Sequence, residues 1–372
     1  METNEQELTN LRKLLVYAVK NGASDIHLAV GSAPAMRFDG EIRFLQADPL
    51  KPADTMEFTR EILNDRQYEE FMARGDSDIA YGVPGLGRFR VNVLRQRGSV
   101  GLVMRHVKGV ILDFASLNLP PVMGKIADFS RGLVLITGTT GSGKSTTLAS
   151  IIDSLNGHKR RHIITLEDPI EFLHTNKRSI VTQREISIDT QDFQMALRAA
   201  MREDPDVILI GEMRDAETFQ TAISAAETGH LVFSTLHTSN VMLTMDRILD
   251  MFPAELHQQV RSQLALQLRA CVSQRLLPAA NGKGRVPAIE VMLNNPGIAQ
   301  LIRENMLRQI PNAMVAGAEE GMQTFNMSMV GLTKRGLIKE EDAMLASDNP
   351  DELKMNMQGI YNTGTRGGIL RK

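Results

Sequence analysis

Apolar residues along this chain change their spacing once, after about residue 130. Before that point, Leu11, Leu14, Leu15, Ala18 and Val19 recur at helical spacing, and Asn21-Gly22 supplies a stop. SDIHLAV (24–30) reads as a strand. PAMRFDGEIRFL (34–45) reads as two short strands joined through Asp39-Gly40. One helical segment is expected over 54–72, followed by the strand SDIAYGV and a long hairpin over 87–107. This mixture predicts an α+β domain over 1–110. LDFASLNLPPVMG, with Pro120-Pro121, predicts a linker over 111–122.

In the second half, apolar runs alternate with helical patterns, as a mainly parallel sheet covered on both faces requires. Four runs end in polar groups: LVLI at Thr137-Gly138, HIITL at Glu167-Asp168, VILI at Gly211-Glu212 and LVFSTL at His237. Ligands of open α/β sheets sit beyond the carboxyl ends of the strands, so one crevice is expected to collect these residues. HIITL is expected to abut the LVLI strand. After His237 the chain reads mostly helical. AELHQQVRSQLALQLRACVSQRLL (254–277) reads as one long helix, and NPGIAQLIREN and SDNPDELKMNMQGIY as shorter ones. The reading is therefore an α/β domain over 123–372. Its carboxyl-terminal part, about 255–360, is expected to be helical, and NTGTRGGILRK a mobile tail.

Composition narrows the function classes. At 372 residues there is room for two or three domains, and a net charge of −2 argues against wrapping nucleic acid. The single cysteine, Cys271, excludes an intramolecular disulfide and a cysteine-cluster metal site, and is expected buried on a helix. METNEQEL lacks the features of a signal peptide. No apolar run approaches the roughly 18 residues of a membrane span, so a cytoplasmic chain without direct membrane insertion is expected.

The chemistry centres on GTTGSGKS (138–145), which fits G-x-x-x-x-G-K-[ST] between an apolar run and a helix-compatible TTLASIIDSL. Gly138, Gly141 and Gly143 let the backbone close around phosphate oxygens, with Thr139, Thr140, Ser142 and Thr146 completing the loop and first turn. Lys144 carries a mobile charge for the outer phosphates of ATP. Ser145 offers a hard hydroxyl ligand for Mg²⁺. Guanine selectivity is not expected, because Asn176-Lys177 lacks the aspartate of N-K-x-D.

Three further groups are candidates. Glu212 closes VILIGE as its single carboxylate, with Gly211 where most such strands carry Asp. It can hold the Mg²⁺ shell through water, polarise the attacking water, or both. Glu167, Asp168 and Glu171 form either catalytic carboxylates or a solvent loop. His237, with Thr235 and Thr238, stands at a strand end beside the expected γ-phosphate as a sensor or an ordinary surface residue; His230 alone carries no such signal. In the 87–107 hairpin a turn at Arg97-Gly98 places Arg90 opposite Arg105. Opposed like charges destabilise a hairpin and nothing acidic lies within it, so an external anion is one reading. A neighbouring subunit's nucleotide would supply it. A solvated basic face is the other reading.

Together these residues resemble the secretion-ATPase superfamily, and within it the pilus-retraction branch of PilT/PilU type. The resemblance rests on SDIHL, RFRVN, GLVLITGTTGSGKSTTLA, TLEDPIEF, REDPDVILIGEMRD, ETGHLVFSTLHT and GMQTF, and covers nearly the whole chain. It implies a PAS-like first domain, a RecA-like second domain and a hexameric ring. It further implies an Asp box at 167–171, a Walker B glutamate at Glu212, a His box with His230 and His237, and trans-acting arginines within 90–105. The implied role is ATP-driven pilus retraction at an inner-membrane platform protein, with the chain peripheral to that membrane. One departure is GIAQLIRE (297–304): Ala299 and Gln300 replace the Arg and Asn of AIRNLIRE. This leaves open an accessory partner of a paralogous retraction ATPase.

Overall fold

The computed structural model describes residues 10–38, 40–107, 109–362 and 369–371. METNEQEL and Asp39 of the expected Asp39-Gly40 turn lie outside the described residues. The chain divides into two compact units, with a boundary after Val110; Glu171–Leu173 group with the first.

The first unit runs α1 (Leu11–Lys20), β1 (Asp25–Ala29), β2 (Ala35–Phe38), β3 (Glu41–Phe44), α2 (Pro52–Ile62), α3 (Asp65–Arg74), β4 (Asp76–Val83), β5 (Gly87–Gln96) and β6 (Ser99–Val107). The single helix expected over 54–72 is two. Asn64 starts the second by accepting from Gln67 N at 2.9 Å while its own N–H donates to the Gln67 side chain at 3.1 Å. The strands form an antiparallel sheet in the order β3-β2-β1-β6-β5-β4. Leu11, Leu14 and Leu15 of α1, with Phe58, Phe71, Phe89 and Met104, fill its core. Arg97 and Gly98 both have positive φ, the geometry of a tight two-residue hairpin turn, and the register sets Arg90 opposite Arg105 as expected.

The second unit begins with the stretch expected as a linker. Leu119 and Val122 are buried in its core and Phe114 and Leu117 pack against it. There follow α4 (Val122–Ala127), β7 (Gly132–Thr137), α5 (Lys144–His158), β8 (His162–Glu167), β9 (Ile180–Glu185), α6 (Phe193–Ala200), β10 (Val207–Ile210), α7 (Ala216–Glu227), β11 (Leu231–Leu236), α8 (Val241–Leu249), α9 (His257–Gln267), β12 (Leu268–Pro278) and β13 (Arg285–Leu293). The sheet order is β13-β12-β7-β11-β10-β8-β9, parallel throughout except for the β12/β13 pair. Two expectations are corrected here. The long helix over 254–277 ends at Gln267. Every residue of β7 is buried, and β12 covers the flank that would otherwise leave its backbone groups unpaired. Cys271 accordingly lies on a strand, and burial pushes its thiol up to about 12. The part over 255–360 is thus not wholly helical. Second, β8 does not abut β7, since β11 and β10 stand between them.

Beyond β13 come α10 (Pro296–Arg303), α11 (Ile310–Ala316), α12 (Phe325–Lys334), α13 (Glu340–Ala346) and α14 (Pro350–Met357). Phe325, Met329, Ile338 and Leu353 form a smaller core against Leu277, Val286 and Ala288 of the β12/β13 pair. The tail expected to be mobile pairs Ile369–Arg371 antiparallel with Ile360–Asn362; residues 363–368 and 372 lie outside the described residues.

Candidate nucleotide site

The carboxyl ends of β7, β11, β10 and β8 point the same way, so the groups that follow them share one edge of the sheet. After β7 the chain turns through Gly138 (φ 145°) and Gly143 (φ 93°) into α5. Both glycines are also enforced by contact. A Cβ on Gly138 would stand 2.4 Å from Ser142 Oγ, and one on Gly143 would stand 2.6 Å from Gln274 Nε2. Lys144 Nζ folds back on the loop, donating to the carbonyls of Gly138 at 2.8 Å and Thr139 at 3.1 Å. The buried Ser142 Oγ has no hydrogen-bond partner among the described residues. Ser145 and Thr146 are half-buried in the first turn of α5, where helix N–H groups lack intrahelical partners. A loop of this kind, with an orphaned hydroxyl and a lysine resting on carbonyls, fits an oxyanion such as phosphate.

The neighbouring strand ends reach towards it in a chain of contacts. Thr140 Oγ1 lies 3.4 Å from His237 Nδ1, and His237 Nε2 lies 3.5 Å from Glu212 Oε2. The other Glu212 oxygen accepts from Arg214, and that bond raises the Arg214 pKa. Gly211 has a steric reason: a Cβ there would come within 3.2 Å of the Leu166 carbonyl. Glu167, at the end of β8, accepts from Thr165 Oγ1 at 2.7 Å and Gln183 Nε2 at 3.2 Å. Glu171 is exposed, just beyond the cis Asp168-Pro169 bond.

Two candidates stand apart from this contact chain. His230 stands at the amino end of β11, the opposite edge of the sheet, about 20 Å of strand from His237. Its Nδ1 lies 2.9 Å from the Ala225 carbonyl, so it closes the turn after α7. In the first unit, Arg105 Nε donates to Asp25 Oδ1 at 2.7 Å, and Arg37 Nε lies 3.6 Å from Oδ2. No external anion is needed to relieve Arg105, because the neighbouring strand β1 supplies a carboxylate that the hairpin alone lacks. Burial works to raise the Asp25 pKa, but hydrogen bonds from Ser24 and Arg105 and the two arginine charges hold it below the usual range. Arg90 is exposed.

Sequence reasoning missed Arg214, Arg285 and Gln274. Arg214 lies two residues past Glu212 and was open to notice. Arg285 Nη1 donates to the Gly141 carbonyl at 3.3 Å from β13. Gln274 sits in the segment read as helix, so nothing pointed to it.

The family model described as type II/IV secretion system protein matches residues 3–364. This chain belongs to that family. Among the secretion family's curated members it is 45% identical to the type IV pilus retraction ATPase PilT of Pseudomonas aeruginosa, over 92% of this chain and 99% of PilT. It is 41% identical to the type IV pilus ATPase PilU of the same organism, over 92% of this chain and 90% of PilU. A solved structure, the pilus retraction motor PilT with bound ADP, superposes with a TM-score of 0.85 at 48% identity, covering 93% of this chain and 99% of that one. Like that secretion-family neighbour, the chain is mixed α/β with an amino-terminal domain and a RecA-like domain. No helix among the described residues is long and apolar enough to cross a membrane.

Proposed function

We propose that this chain is the ATPase of a type IV pilus retraction motor, working as a Mg²⁺-dependent hexamer. The reading is carried by the phosphate loop with Lys144 at one end of the contact chain Thr140–His237–Glu212. Backbone N–H groups at the start of α5 grip the phosphates of ATP. Lys144 exchanges its two carbonyl partners for phosphate oxygens. Ser145 and Glu212 are the residues suited to Mg²⁺, which supplies charge neutralisation of the outer phosphates. Glu212 accepts a hydrogen bond from the attacking water, and His237 and Thr140 sense the terminal phosphate. Glu167 and Glu171 are the alternative acceptors. Arg90 reaches the nucleotide of a neighbouring subunit, where such an arginine contributes about 10³–10⁵ in rate, and Asp25 holds Arg105 in the same hairpin. An inner-membrane pilus platform protein receives the motion, which keeps the motor peripheral to that membrane from the cytoplasm. The net charge of −2 favours no nucleic-acid track.

Mixed rings test the trans arrangement. Arg90→Ala and Lys144→Ala proteins, each inactive alone, are expected to regain part of the parent ATPase activity when co-assembled. Absence of any rescue in rings shown to be mixed overturns the arginine's role in trans.

A second reading rests on Ala299 and Gln300. Gln300 Nε2 donates to Glu304 Oε1 at 3.0 Å within α10, and Ala299 packs against the core. With these residues the chain would be an accessory ATP-binding partner of a paralogous motor. Negligible phosphate release beside tight ATP binding favours that reading.

A further inference from the structure

The strand β12 runs along β7 on the flank away from β11, with Ser273 opposite Thr137, the last residue before the phosphate loop. Three consecutive β12 residues touch three parts of the site. Ser273 Oγ lies 2.7 Å from Thr137 Oγ1. Gln274 Oε1 accepts from Thr147 Oγ1 of α5 at 2.8 Å. Arg275 Nη2 donates at 3.3 Å to the carbonyl of Ser239, two residues past His237. Successive strand side chains face opposite sides, so Gln274 serves α5 while Ser273 and Arg275 serve the β11–α8 side.

Gln274 is the closest of the three to the loop. It is 3% exposed. Its backbone carbonyl oxygen would lie 2.5 Å from a Cβ on Gly138, and its side-chain Nε2 would lie 2.6 Å from one on Gly143. Both ends of the loop therefore rest directly on this residue, with no space for a side chain between. An amide suits the place: it accepts from Thr147 without setting a negative charge beneath an anion site. The next residue is anchored in turn. Arg275 Nη1 donates to the Ala346 carbonyl at 2.8 Å and to Asp348 at 3.0 Å, and its guanidinium lies 4.1 Å from the centre of the Phe325 ring.

We infer that Gln274 is a positioning residue for the phosphate loop, setting its backbone for nucleotide from beneath, in a strand that Arg275 ties to the carboxyl-terminal helices. This rests on the nucleotide reading of the loop and adds the residue that shapes it. The side chain acts through Thr147 and Gly143, while the contact with Gly138 is made by the backbone carbonyl.

ADP affinity of the full chain, titrated with a fluorescent ADP analogue, tests it. Gln274→Ala is expected to bind about tenfold more weakly, the worth of one buried hydrogen bond. Gln274→Glu, which keeps an acceptor but adds charge, is expected to lose about tenfold more. Combined with Thr147→Val, Gln274→Ala should cost no more than Gln274→Ala does alone. Should Gln274→Ala not fold, Gln274→Met fills the volume without the amide and should show the same loss. Parent-like affinity in the folded variants, or additive costs in the double variant, overturns the proposal. A parent chain that binds no ADP would sink the nucleotide reading itself, and shows before any variant is made.

Discussion

The two edges of the seven-stranded sheet use similar side chains to opposite ends. At the amino edge, His230 sits on the Ala225 carbonyl, His162 on the Glu203 carbonyl and Arg269 on the Arg131 carbonyl. At the carboxyl edge, Thr140, His237, Glu212 and Arg214 contact one another, and Lys144 rests on loop carbonyls. The cause is the direction of the helices. A parallel βαβ chain brings helix carboxyl ends to the amino edge, and carbonyls of the last helical turn (Ala225) or of the loops that follow (Glu203, Arg131) take up histidine and arginine donors. It brings helix amino ends to the other edge, where free N–H groups attract anions. A histidine at one edge therefore closes a turn, and at the other can exchange its partner for a substrate.

That contrast can be broken most forcefully at Lys144. Lys144→Ala should lower ATP turnover by about 10²–10³ or more while the fold persists, as loss of a charged group at developing negative charge does. Phosphate release alongside circular dichroism checks both halves; near-parent turnover would remove the carboxyl edge from the chemistry. The two histidines give the sharper comparison at smaller scale. His237→Ala should cost turnover about tenfold, whereas His230→Ala should leave turnover within about twofold and cost about 1 kcal/mol of stability. Equal kinetic losses in the two would mean that the edges are not divided in this way.

The smallest effect concerns Glu290 of β13, whose carboxylate accepts from Val241 N at the start of α8, at 2.7 Å. Burial pushes its pKa up from 4.5 to about 7, against the Val241 hydrogen bond and the Arg275 charge, with Asp348 adding to the rise. The folded chain therefore keeps a proton that the unfolded chain releases. This contribution to stability is present below about pH 4.5 and is lost as pH rises towards 7. Glu290→Gln, which keeps an acceptor for Val241, should flatten the fall in melting temperature between pH 5 and 7.5, measured by differential scanning fluorimetry. Asp25 has the opposite sign, since its lowered pKa adds stability that disappears in acid.

How legible the molecule was depended on how local its signals are. The phosphate loop could be read because glycine, lysine and serine spacing is itself the chemistry. The hairpin register followed from one turn, Arg97-Gly98, because a two-residue turn sets every pair beyond it. Asn64 was equally local, yet its cap was overlooked inside a continuous helical pattern. Strand β12 was not legible. It is buried on both faces, so it lacks the alternation that separates a strand from a buried helix.

The amino-acid order alone determined that a triphosphate loop follows an apolar strand, that acids and a histidine end the later strands, and that two arginines face each other in a hairpin. Only the tertiary structure decided which of these groups meet. Strand order set His237 and Glu212 near the loop and put two strands between the loop and Glu167. Asp25 answered Arg105, and Gln274 came to lie beneath the glycines. Sequence spacing governs neighbours within one element, whereas sheet pairing joins residues more than a hundred positions apart. No periodicity within either segment encodes that choice.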